Sequence, residues 1–298
     1  MKNSEIIEKV TNKIIERMES GDLNWNKPWT AGMLPQNFVS KKAYRGWNLF
    51  ATMFGGFDSP YYLTFNQVKK LGGNVKKGSK GTPIVFWNKI NKDSTDANGE
   101  VKNKSFLLAK EYVVFNAEQI EGIDFGKIEV NELGTCEELE KAIAEMDTPI
   151  TIKHSQSDMA FYSPTFDYVQ MPNKSQFKTE GEYYSVLVHE VIHSTGHKAR
   201  LNRLSLNDAK FDSKKHSYSY EELVAELGAA YLTAMFGVST EKTEKSSAAY
   251  LKGWLTRLTE DKQMLFKASS DAQKAVDYII KRAEIEAAEV TETASAEV

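Results

Sequence analysis

The sequence predicts an α+β protein of two domains, on three observations. At 298 residues the chain exceeds one typical domain. Helical apolar periodicities and runs of β-branched and aromatic residues occur in both halves. The charge also reverses along the chain: residues 1–118 carry 18 Lys and Arg against 11 Asp and Glu, whereas residues 119–298 carry 20 against 30. The expected organisation is a basic domain over 1–118, a linker over 119–135, an acidic domain over 136–288 and a frayed Ala/Glu/Thr-rich tail over 289–298. No apolar run approaches 18 residues, which predicts no transmembrane helix. The acid-containing amphipathic N-terminus fits neither a secretory signal nor a transit peptide. Cys136 is the only cysteine, so no disulfide framework is available and a reducing cytoplasm is expected.

The elements follow in order. Ile6, Ile7, Val10, Ile14, Ile15 and Met18 trace a helical stripe that ends before Gly21. Residues 24–48 are punctuated by Pro, Gly and Asn and read as irregular. Thr64-Phe65-Asn66-Gln67 is a capping box, and Gly72-Gly73 ends the short helix it starts. Residues 82–90 and 105–116 are β-rich and form a hairpin whose polar tip spans 91–104.

The basic half suggests nucleic acid. Residues 41–92 hold ten basic side chains with Asp58 as the only acid, and ten aromatics. Cations neutralise phosphates without reading sequence, and exposed rings stack on unpaired bases. This favours single-stranded over duplex nucleic acid. The candidate contacts are Lys41, Lys42, Tyr44, Arg45, Trp47, Lys69, Lys70, Lys76, Lys77, Lys80 and Trp87. The competing reading, with the aromatics as core and the lysines as a solvated face, stands beside it.

In the acidic half, a helix runs from Thr135 to about Met146, and residues 150–153 and 159–171 read as strands. Thr179-Glu180-Gly181-Glu182 caps a helix that carries His189-Glu190-Val191-Ile192-His193 and ends near Gly196. Residues i and i+4 of a helix share a face, so both imidazoles can reach one ion. Neutral imidazole suits Zn²⁺, and Glu190 is placed to take a proton from a metal-bound water. This is the metallopeptidase spacing, and it implies one Zn²⁺, or another divalent ion, per chain.

A third protein ligand is required. The candidates are Glu226, His197, Glu222 and His216, with Glu226 favoured because Gly228 and Ala229 beside it allow a close helix contact. Ser219-Tyr220-Glu221-Glu222 is the expected start of that second helix. Tyr162, Tyr168, Tyr218 and His216 are candidates to stabilise an oxyanion. Asp167–Pro172 is the candidate strand beside the metal helix, whose edge a peptide would pair with. Residues 243–288 read as helices, with a capping box at Ser270-Asp271-Ala272-Gln273.

The chain resembles the ArdC-type antirestriction proteins of conjugative plasmids, phages and mobile elements. The resemblance is carried by Lys27-Pro28-Trp29, Tyr44-Arg45-Gly46-Trp47-Asn48, Leu63-Thr64-Phe65-Asn66-Gln67 and Phe115-Asn116-Ala117-Glu118-Gln119 in the first half. In the second it is carried by the His189–His193 motif, Arg200-Leu201-Asn202-Arg203 and Glu221-Glu222-Leu223-Val224-Ala225-Glu226-Leu227-Gly228. It implies an N-terminal domain that binds single-stranded DNA without sequence preference, and a C-terminal zincin-like domain of the SprT and polyvalent-protein type. It also implies protection of incoming DNA from restriction. His189, His193 and Glu226 would be the ligands and Glu190 the base. Restriction enzymes and DNA-bound proteins are the further partners this suggests; a peptidase that trims DNA-bound proteins is the alternative function.

Overall fold

The structure is a computed structural model, and it describes residues 3–19, 34–53, 55–95, 101–126, 136–203, 214–238 and 261–281. The basic half is built on a four-stranded sheet of order β1-β2-β5-β4, with β1 (Gln36–Asn37), β2 (Tyr61–Thr64), β4 (Thr82–Thr95) and β5 (Val101–Asn116). β1 and β2 are parallel; the other pairs are antiparallel. The hairpin ladder runs from Thr82↔Val114 to Thr95↔Val101, so the expected tip narrows from 91–104 to the residues between 95 and 101. Polar residues at that tip pair as strand because the main-chain groups that face across the hairpin gain partners there.

Helix α1 (Asn3–Glu19) turns Val10, Ile14 and Ile15 into the core. Lys9 and Lys13 of α1 both pair with Glu111 of β5, at 2.6 and 2.5 Å. Helix α2 (Gly46–Met53) was not expected: its mostly apolar sequence shows no polar face, because all of Trp47, Leu49, Phe50, Ala51 and Met53 are buried. Helix α3 (Phe65–Lys70) carries the expected capping box, with Thr64 accepting from the N–H of Gln67 and Gln67 accepting in return from the N–H of Thr64. β3 (Asn74–Val75) pairs with β6 (Ile120–Glu121), so the front of the expected linker belongs to the basic half; residues 127–135 lie outside the described residues.

The acidic half holds α4 (Cys136–Ala144), a three-stranded sheet, α5 (Glu180–Thr195) and α6 (Lys214–Met235). The sheet order is β7-β9-β8, from β7 (Thr151–Ser155), β8 (Phe161–Ser163) and β9 (Tyr168–Pro172). The single strand expected over 159–171 is therefore an antiparallel pair broken at Asp167, which has φ +51°. β9 is central and β8 is the edge, reversing the assignment of Asp167–Pro172 as the edge beside the metal helix.

Two further expectations are corrected. α6 begins at Lys214, one turn before Ser219, and α7 (Lys262–Ile279) runs unbroken through Ser270 from an N-cap at Asp261, whose side chain accepts from Gln263 N–H at 3.0 Å. In both cases a Ser-x-x-Glu/Gln pattern sits inside a longer helix, where tertiary burial outweighs the local cap. The expected packing of Ala248 to Leu258, Trp254 included, the Lys27-Pro28-Trp29 segment and the tail 289–298 lie outside the described residues.

α7 joins the halves. It packs on α5 and α6, and also on α1 and α2. Trp47 stacks on Phe266 with centroids 5.3 Å apart, Arg45 pairs with Asp277 at 2.5 Å, and the Gln273 side chain accepts from Gly46 N–H at 2.9 Å. One continuous core therefore runs from Val10 and Phe50 through Ala272 and Val276 to Val191 and Leu227.

Candidate metal centre and basic face

α5 starts where Thr179 accepts from the N–H of Glu182, at 3.1 Å. Val188, Val191 and Ile192 are fully buried, which fixes the rotation of the helix and brings His189 and His193 to one side. Their Nε2 atoms lie 3.1 Å apart. Two donors about 2.1 Å from a tetrahedral ion stand roughly 3.4 Å from each other. The pair is thus preset to share one ion.

The facing helix supplies three carboxylates. Glu222 reaches both histidines on the ion-facing side: Oε2 is 3.5 Å from His189 Nε2, and Oε1 is 3.5 Å from His193 Nε2. Among the described residues, His189, His193 and Glu222 bring their ligand atoms within 4.8 Å of one another. Glu226 instead sits behind His189, with Oε1 3.6 Å from Nδ1. Glu221 sits behind His193, with Oε1 3.5 Å from Nδ1. The geometry puts Glu222, rather than the expected Glu226, between the two rings. The expected close approach of the helices does occur, since a Cβ on Gly228 would stand 2.7 Å from Ile192 Cδ1. That contact docks α6 with its third turn, rather than its fourth, over the imidazole edges.

The donor chemistry fits a divalent cation. Glu190, Glu221, Glu222 and Glu226 gather around two neutral-capable rings, and Arg203 is the fixed cation among them. Burial pushes the Glu221 carboxyl up, but His193 and Arg203 outweigh it and hold the pKa at about 2. Burial pushes Glu226 up, and Glu222 adds to this. A buried excess of negative charge needs a compensating cation.

Glu190 faces the edge strand. Its Oε2 accepts the backbone N–H of Tyr162 at 2.8 Å. β8 is held there from behind: Tyr162 donates its hydroxyl to Asp167 at 2.9 Å, and Arg200 pairs with the same carboxylate. Burial and Asp167 push the Tyr162 phenol well above its usual range, so it stays a neutral donor to Asp167. His197 lies 3.7 Å from Asp167 through Nδ1, which also accepts from Ala199 N–H. His197 therefore belongs to this brace and not to the ligand cluster. Tyr168 lies under Lys153, whose Nζ is 3.9 Å from the ring centroid. The side chains of His216 and Tyr218 lie outside the described residues.

In the basic half, the expected contacts divide. Lys41, Lys42, Lys69, Lys70, Lys76, Lys77 and Lys80 are exposed. Two hydrogen bonds between Asn37 and Gln67 tie the turn bearing Lys41 and Lys42 to α3, which bears Lys69 and Lys70. Lys76 donates to the carbonyl of Glu118 at 2.7 Å. Tyr44 and Trp47, by contrast, are buried, and Arg45 is engaged by Asp277. Trp87 is half-buried, edge-on to Phe266. Trp47 and Trp87 meet Phe266 of α7, and Tyr44 packs edge-on against Tyr62, so Tyr44 and Trp47 sit in the core rather than on the basic face. Phe65, one of the ten aromatics of residues 41–92 but not among the expected contacts, is 49% exposed, with Lys69 Nζ 5.7 Å from its centroid. Its position as the first residue after the Thr64 cap was the available signal, because that residue of a short surface helix has no core to enter.

Residues 4–115 match the N-terminal domain of the anti-restriction factor ArdC, and residues 137–271 match a zincin-like metallopeptidase domain. The crystal structure of the antirestriction ArdC protein from the R388 plasmid, in its metal-free form, is 37% identical and superposes with a TM-score of 0.68 over 93% of this chain and 97% of that one. The same R388 protein has a Mn(II)-bound structure. The uncharacterized protein y4eC of Sinorhizobium fredii is 34% identical over 93% of this chain and 92% of its own length. The DNA primase TraC of Escherichia coli is 33% identical over 92% of this chain, which spans only 27% of that primase.

Proposed function

Because this chain belongs to the ArdC antirestriction family, we propose that it binds single-stranded DNA without sequence preference and shields incoming mobile-element DNA from host restriction in the cytoplasm. The observation that carries this reading is the match to an antirestriction protein over 93% of the chain, basic and acidic halves together. No helix among the described residues is long and apolar enough to cross a membrane.

In this reading residues 1–118 grip the strand. Lys41, Lys42, Lys69, Lys70, Lys76, Lys77 and Lys80 meet phosphates, and Phe65 stacks on a base. Residues 136–288 hold one divalent ion, Zn²⁺ by donor type, through His189, His193 and Glu222. When bound, the ion supplies a Lewis acid and an acidified water. Glu190, fixed by the Tyr162 N–H, is the residue that accepts a proton there. Glu226 and Glu221 fix the ring orientations from behind.

A transfer assay into a restricting host tests the proposal, using wild type, Glu190→Gln and the triple reversal Lys41→Glu, Lys69→Glu, Lys70→Glu. Wild type and Glu190→Gln are expected to protect; the triple reversal is expected to fail. In vitro the reversal lowers the slope of log affinity against log salt by roughly 2, at about 0.7 per phosphate contact on single strands. Protection that survives the reversal contradicts DNA shielding. Protection lost in Glu190→Gln while DNA binding persists favours the peptidase acting on DNA-associated proteins.

A further inference from the structure

Arg203 belongs to neither of the helices that carry the metal ligands. It follows the turn that leaves the end of α5, where its backbone N–H is held by the carbonyl of Gly196 at 3.0 Å. The side chain is nonetheless buried, with 7% of the residue exposed. Every arm of the guanidinium is engaged. Nη1 donates to Thr195 Oγ1 at 2.7 Å, and Nη2 to the carbonyl of Ile192 at 2.8 Å. Nε donates to Glu221 Oε2 at 3.1 Å, and Nη2 to Glu221 Oε1, giving a two-pronged ion pair. The same Oε1 stands 3.5 Å from Nδ1 of His193.

We infer that Arg203 is a positioning residue of the metal centre, which acts through Glu221 to orient the His193 ring. One end of the guanidinium is anchored to the last turn of α5 and the other grips the carboxylate behind His193. The histidine, the arginine and the glutamate therefore form a closed loop across two helices. A planar fork with fixed donor directions can hold both carboxylate oxygens at once, whereas a lysine ammonium holds only a point. Glu221, so held, accepts a hydrogen bond from Nδ1–H of His193, which keeps the proton on Nδ1 and leaves Nε2 as the lone-pair donor on the side facing His189 and Glu222. His189 is served differently: Glu226 backs it, and among the described residues no Arg pairs with that carboxylate. The two ligand histidines thus differ in how firmly they are set, with His193 the more rigid. This inference rests on the metal-binding reading above.

The alternative is that the Arg203–Glu221 pair only staples the end of α5 to α6. Zinc affinity measured by chelator competition on the metal-stripped full chain separates the two. The proteins are wild type, Arg203→Lys, Glu221→Gln and the double variant Arg203→Met/Glu221→Gln. Circular dichroism and melting of the same metal-free samples report folding. Arg203→Lys and Glu221→Gln are each expected to lose roughly 10–100-fold in affinity. The double variant is expected to lose no more than Glu221→Gln alone, because Arg203 works through that carboxylate. The double variant also removes both buried charges together, so it tests the inference even if Arg203→Lys fails to fold. A folded Arg203→Lys or Glu221→Gln within twofold of wild type overturns the inference, as does a double variant whose losses simply add. A wild type that binds no zinc overturns the metal assignment itself and is recognised before any variant is compared.

Discussion

Glu222→Gln is expected to lose more than a hundredfold in zinc affinity, while Glu226→Gln stays within about tenfold of wild type. Zinc sites with four donors bind with about 10–16 kcal/mol in all, so removing one charged donor costs at least ~3 kcal/mol. Glu222 is the carboxylate that reaches Nε2 of both histidines. Glu226 stands 3.6 Å from Nδ1 of His189, behind the ring, where its loss removes a charge but no metal donor. Isothermal titration of the two metal-stripped variants checks this. The reverse order, with Glu226→Gln losing the metal and Glu222→Gln keeping it, would restore Glu226 as the ligand.

Trp47→Ala is expected to destabilise the whole chain by about 3–5 kcal/mol, the usual loss for truncating a buried aromatic. The residue is 4% exposed, with its ring tilted against Phe50 at 5.6 Å and stacked on Phe266 of α7. Because α7 also packs on α5 and α6, both halves should melt together at a lower temperature. The salt-dependent affinity of the folded variant for single-stranded DNA should be unchanged. A variant with wild-type melting and weaker DNA binding would return Trp47 to the DNA surface. By the same logic, residues 1–118 expressed without α7 leave Trp47 and Arg45 without Phe266 and Asp277.

The contrast between these two residues shows what a sequence can carry. His189 and His193 were legible because both lie on one helix, and helical periodicity alone fixes their relation. The third ligand was not, because Glu222 and Glu226 are one turn apart on the same face of α6. Choosing between them needs the axial docking of two helices, which the Gly228–Ile192 contact sets and no local pattern encodes. Likewise, the lysines of the basic face were readable from charge alone. The aromatics among them were not, because Trp47 and Tyr44 pack in a core shared with a helix more than 200 residues away. The family boundaries mark two modules, but the C-terminal helix completes the first of them. That completion is a long-range pairing which composition cannot show.

The central claim is that a single divalent ion is held between α5 and α6 by two imidazoles and the Glu222 carboxylate. An anomalous difference map from crystals grown with Zn²⁺ tests it most directly. The account predicts one peak per chain, within about 2.0–2.2 Å of Nε2 of His189, Nε2 of His193 and an oxygen of Glu222. A peak bonded to Glu226 or His197 in place of Glu222 would contradict it, as would the absence of a peak at the His189–His193 pair.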